Sequence, residues 1–177
     1  KANLKEINNY GVSGTRLAKQ QFSDDCASSY CDRFIHMSDD ADIIVVFGGT
    51  NDHAHGDALL GCFSDKTPDT FYGACHYLFR GLIKKYLGKP VVIMTPLHKI
   101  NENQKNAKSN GVLKDYVNII REVAEYYSLP LLDLFSSSGI QPEISEIKET
   151  YMPDGIHPND IGHSVIAHKL QMFLEQL

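Results

Sequence analysis

The chain has 177 residues, 42% of them hydrophobic, which suits one domain with a sizeable core and argues against a second. Its formal charge of −5, from 17 basic and 22 acidic residues with no Lys/Arg run, gives no electrostatic footprint for nucleic acid or an anionic membrane. No apolar segment approaches the roughly 20 residues that span a bilayer, and the opening KANLKEINNYG does not have the pattern of a signal peptide.

In chain order, LKEINNYG (residues 4–11) reads as a weak first strand. Ala27, Tyr30, Cys31, Phe34 and Ile35 then form a short helical stripe. ADIIVVFGG (41–49) and KPVVIMTP (89–96) are β-branched, non-alternating and ended by turn formers, as expected of strands buried on both faces. Between them Phe71, Ala74, Cys75, Leu78, Phe79, Leu82, Ile83 and Tyr86 recur at helical spacing, with Gly88 as the stop. A second stripe runs from Val112 to Tyr127, ahead of Pro130, and LPLLDLF (129–135) is a shorter strand. A loop-rich stretch from Ser136 leads to a final helix over residues 161–177, with Asn159 as its N-cap. This alternation of strand and helix predicts an α/β sandwich with a mainly parallel sheet and a ligand site at the carboxyl ends of its strands.

Cys26, Cys31, Cys62 and Cys75 match neither a zinc signature nor a dense disulfide framework, so they read as buried or half-buried thiols.

Three polar clusters fall at predicted strand ends: NNYGVSGTR (8–16), FGGTNDHAHGD (47–57) and the DGIH of YMPDGIHPNDIGH (151–163). Singly each has a plain explanation. Gly11 and Gly14 suit turns, Gly48 and Gly49 can end a strand, Asn51 and Asp52 can cap a helix, and Asp154-Gly155 suits a turn before a surface histidine. Together they offer what acyl transfer needs: a base, a group that orients it and donors for a developing oxyanion. An Asp three residues before a His can hold the ring Nδ1–H across a tight turn, leaving Nε2 to take a proton. An Asn amide and a glycine N–H at adjacent strand ends could both address one carbonyl oxygen.

GVSG, GGTND and DGIHPNDIGH resemble the second, third and fifth sequence blocks of the SGNH hydrolases, the GDSL-type esterases and lipases. The resemblance extends from about Asn8 to the final helix, with the blocks in order. It implies a flavodoxin-like three-layer α/β/α fold and cofactor-free hydrolysis of an ester of a lipid, an acylated sugar or another small molecule. Gly14 and Asn51 would then supply the oxyanion hole, His157 would be the general base and acid, and Asp154 would orient it. The family's first block, whose GDS serine is the nucleophile, is absent, and the first, central strand of the sheet with it. The single domain over residues 1–177 is thus expected to be incomplete at its N-terminus, with the nucleophile upstream of residue 1.

Three other readings compete. Asp52, His53, His55 and Asp57 form D-H-x-H-x-D, a set of metal-ligand types, but no matching distant pair is evident. No metal is therefore expected there, in line with the absence of metal and organic cofactor that the family resemblance implies. An SGNH-like domain without catalysis, binding a glycan or protein partner, is the second alternative. A flavodoxin-like nucleotide binder is the third, and it lacks a Gly-rich phosphate loop. Specificity is expected in the loops at residues 53–70 and 97–111; the latter is Lys/Asn-rich, which suits a water-soluble substrate.

Overall fold

In the computed structural model, which describes residues 4–21 and 29–177, the apolar runs become the strands of one parallel sheet. In chain order the elements are helix α1 (Tyr30–Arg33) with a 3-10 turn (Phe34–His36), strand β1 (Ile44–Phe47), α2 (Thr50–His55), α3 (Phe71–Lys85), β2 (Val91–Met94), α4 (Leu113–Tyr126), β3 (Leu131–Leu132), α5 (Leu134–Ser137), α6 (Ser145–Tyr151) and α7 (Asp160–Leu174). The sheet order is β1-β2-β3, with Ile44 opposite Val91 and Ile93 opposite Leu131.

The central strand β2 is buried along its whole length, so it carries apolar side chains on both faces and shows no alternation. On one face Val91 and Ile93 join the larger core with Phe71, Leu78 and Phe79 of α3 and Tyr116, Ile120 and Val123 of α4. On the other, Met94 joins Leu132, Leu134, Ile140, Met152 and Ile166, the last from α7. Helices thus cover both faces of the sheet, giving the three-layer α/β/α architecture. Within β1, Ile44 and Val46 face the larger core, whereas Val45 and Phe47 on the opposite face remain 40% and 38% exposed.

Four details depart from the sequence expectations. Residues 4–11 form no strand, and Leu4, Ile7 and Tyr10 are exposed. No strand lies beside β1 on its open side among the described residues, so this segment has no ladder to join. LPLLDLF divides after two strand residues, because the Asp133 carboxylate accepts the Ser136 N–H and starts α5. The stretch after Ser136 contains α6, and the stripe from Ala27 yields only the short α1 and its 3-10 turn. Ala27 itself lies outside the described residues.

Helix ends follow their local chemistry. Thr70 caps α3 by accepting the Gly73 N–H, and Asn159 caps α7 by accepting the Gly162 N–H at 3.0 Å, as its sequence position suggests. Cys31 and Cys75 are buried free thiols, Cys62 is an exposed one, and Cys26 lies outside the described residues.

Candidate active site

The DGIH turn is held by the carboxylate at its start. Asp154 Oδ1 accepts the backbone N–H groups of Ile156 at 2.8 Å and His157 at 2.7 Å, while Oδ2 lies 2.7 Å from His157 Nδ1. These bonds favour the ionised carboxylate: the His157 N–H first, then the ring and the Ile156 N–H, lower the Asp154 pKa to about 2. An ionised carboxylate only accepts, so Nδ1 carries the proton and Nε2 presents its lone pair. The His157 side chain is 79% exposed, so Nε2 is open to a reacting group.

Gly155 makes the turn possible. Its φ of 75° lies in the left-handed region, and a Cβ there would stand 2.5 Å from Ile100 Cγ2. Its N–H donates to Met152 O, and its carbonyl accepts the Ile100 N–H at 2.9 Å. The turn is therefore fastened to the segment that follows β2.

The second pair forms on the opposite side of the chain order. Thr15 N and Oγ1 both donate to Val12 O, closing a tight turn whose third residue, Gly14, has φ 75°. Among the described residues no acceptor takes the Gly14 N–H. Asn51 sits in the first turn of α2 and donates through Nδ2 to Thr15 O at 3.0 Å. A primary amide has two N–H bonds, so the second stays available. Asn51 and Asp52 do not cap α2: Gly49 does, with φ 104°, at a point where a Cβ would meet Ile120, Pro96 and Phe71.

No hydrogen bond directly joins the Asp154–His157 pair to the Asn51–Gly14 pair. The 97–111 loop links them. Through Ile100 it holds the DGIH turn, and through His53 and Asn106 it holds α2. His53 Nε2 donates to Gln104 O at 2.8 Å. The buried Asn106 amide reaches the carbonyls of Asp52, His53 and Gly56 at 3.3, 2.9 and 3.1 Å, and its Oδ1 accepts from Lys108 N and Ser109 N. His98 binds Glu102 and lies on the Phe135 ring, 3.9 Å between centroids. Asn106 was invisible to motif reasoning because its partners are backbone carbonyls fifty residues away. Its only sequence signal is an Asn in a loop that already looked functional.

The D-H-x-H-x-D residues do not converge. Asp52 faces the core, His53 binds Gln104 O, His55 Nε2 lies 3.2 Å from Gly14 O, and Asp57 accepts the Gln21 N–H. Among the described residues no three ligand-type side chains are grouped to hold a metal ion. Nor is any helix among them long and apolar enough to cross a membrane.

A three-layer, parallel α/β fold of flavodoxin-like type, with polar clusters at its strand ends, defines the class. Within that class the chain belongs to the GDSL-like lipase/acylhydrolase family, whose model matches residues 1–165. Ester hydrolysis is thus its general chemistry. Among solved structures, a protein from Lactobacillus plantarum is 32% identical, with a TM-score of 0.83 over 96% of this chain and 80% of that one. An acetyl xylan esterase shares the fold at 24% identity, with a TM-score of 0.59 over 90% of this chain and 76% of that one. No curated protein sequence matches.

Proposed function

We propose that the protein is a serine hydrolase of carboxylic esters that works through an acyl-enzyme, with Gly14, Asn51, Asp154 and His157 as its catalytic groups. The observation that carries this is the Asp154–His157 geometry: a carboxylate fixes Nδ1–H at 2.7 Å and leaves an exposed Nε2 as a base. On this reading the nucleophile is a serine that donates its proton to Nε2; among the described residues no serine is hydrogen-bonded there.

A seryl Oγ attacks the ester carbonyl carbon while its proton passes to His157 Nε2. The carbonyl electron pair moves to oxygen, where the Gly14 N–H and the free Asn51 N–H receive the negative charge. Collapse breaks the bond to the alcohol oxygen, which takes the proton from the imidazolium. Water then repeats the sequence on the acyl-enzyme, and Asp154 stabilises the imidazolium formed each time.

The substrate is a small water-soluble or acylated-sugar ester rather than a long-chain lipid. Support for this comes from the polar 97–111 loop beside the site. The acetyl xylan esterase of the same fold is consistent with a short acyl group on a sugar.

Expression of the complete reading frame, exposure to a fluorophosphonate and intact-mass analysis test the reading. One adduct on a serine is expected, and its formation should be suppressed in His157→Ala. Absence of any serine adduct overturns it.

A further inference from the structure

We infer that Asp52 is a positioning residue for the oxyanion hole, its single buried carboxylate clamping the segment after Gly14 to the helix that carries Asn51. This rests on the assignment of Gly14 and Asn51 as oxyanion donors.

Asp52 Oδ2 accepts the Leu17 N–H at 2.9 Å and Oδ1 accepts the Ala18 N–H at 3.0 Å. The three residues are 3%, 1% and 0% exposed, so water does not compete for these bonds. Asp52 lies in the first turn of α2, and its two oxygens accept backbone N–H groups 34 and 35 positions earlier in the chain. Leu17 follows Gly14 by three residues, and Asn51 precedes Asp52 by one. The two donors are thereby tied through one rigid group, and the Asn51 bond to Thr15 O adds a third tie between the same segments.

The approach is close. A Cβ on Gly48 would stand 2.4 Å from Leu17 Cδ1, so the two segments already touch. Two carboxylate oxygens match two N–H donors, and asparagine cannot, because one of its two positions would be a second donor facing an N–H. A buried charge used this way is costly, and hydrogen bonds from the backbone offset part of that cost. An apolar residue of similar volume would leave the Leu17 and Ala18 N–H groups buried without acceptors, so the carboxylate both satisfies them and fixes their position against α2.

The test uses the protein expressed from its complete reading frame and p-nitrophenyl acetate as the probe. Asp52→Asn is expected to lower kcat about 100-fold, as small misplacements of catalytic groups do, with KM changed less than about twofold. Added to Asn51→Ala, it should cost clearly less than the about 100-fold it costs alone, because only the alignment of Gly14 is then left to lose. Wild-type kcat in Asp52→Asn, or losses that simply multiply in the double variant, overturn the inference. Should Asp52→Asn fail to fold, amide exchange of Leu17 and Ala18 in the wild type decides. Core-level protection is expected, and exchange at loop rates overturns the clamp. A wild type that hydrolyses no ester removes the reaction itself, whereas an active wild type with an equally active Asp52→Asn removes only the role of Asp52.

Discussion

Ile100 and Gly155 are joined twice: the Ile100 N–H donates to the Gly155 carbonyl at 2.9 Å, and the Ile100 side chain occupies the space a Cβ on Gly155 would need. Gly155→Ala combines a left-handed backbone, costing about 1–2 kcal/mol for a residue with a Cβ, with a 2.5 Å clash. A lower thermal midpoint and a loss of kcat are expected together. Adding Ile100→Ala should recover part of the kcat but not the whole midpoint, since it relieves the clash and leaves the φ of 75°. Differential scanning calorimetry and ester hydrolysis on the same samples check both.

On the proposed mechanism Asn51→Ala removes one oxyanion donor, and with it a half-exposed hydrogen bond to Thr15 O. The expected loss is on the order of 100- to 1000-fold in kcat, with a small change in denaturation midpoint. Near-normal turnover would show that the amide is not aimed at the reacting carbonyl.

Asp154→Asn leaves the turn a carbonyl oxygen for the backbone N–H groups but cannot stabilise imidazolium, so kcat should fall by about 10⁴-fold, as in comparable triads. The pH consequence has a definite sign. Because the folded pKa is lowered to about 2, Asp154 favours the folded state above the unfolded value near 4, and that contribution disappears as pH falls from about 4 to about 2. The difference in thermal midpoint between wild type and Asp154→Asn should therefore shrink across that window. The side chains are largely exposed, so the effect is small and decreases with added salt.

Asp52 gives the opposite sign. Burial raises its folded pKa to about 6, so the folded state binds the proton more tightly than the unfolded chain does. Its contribution to stability is most favourable below about pH 4 and declines as pH rises to about 6, by on the order of 3 kcal/mol. Urea titrations of wild type and Asp52→Asn at several pH values should show this slope only in the wild type.

Asn106→Ala leaves the His53 and Gly56 carbonyls without their buried side-chain donor and two loop N–H groups without their acceptor, while the Asp52 carbonyl keeps the Gly56 N–H. A destabilisation of about 1–3 kcal/mol is expected, read as a shift in the urea midpoint. Because the loop ties α2 to the DGIH turn, kcat should fall as well.

Local pattern was enough for much of the fold and for part of the site. Residues 91–94 are strand because four consecutive apolar residues can be buried on both faces, and residues 71–85 are helix because their apolar positions repeat every 3.6 residues. The Asp154–His157 pair was equally legible, since a carboxylate three residues before a histidine makes its bonds within one turn. For Asn51 and Gly14, strand-end placement suggested an amide and a glycine N–H at one carbonyl oxygen, and the resemblance to the family's blocks singled out these two residues. The 4–11 segment misled because β propensity is only half of a strand; the other half is a neighbouring ladder, and none is present among the described residues.

By itself, then, the sequence determined the alternation of strands and helices, the apolar central strand and the carboxylate–histidine turn, all of which depend on contacts between residues close in the chain. Only the tertiary structure decided that Asp52 faces the backbone of Leu17 and Ala18 rather than a metal, that Asn106 holds the end of α2, and that Ile100 seats the turn at Gly155. The reason is physical: those partners are main-chain N–H and C=O groups, which every residue carries, so their pairing leaves no signature in residue identity and is set by how distant segments pack.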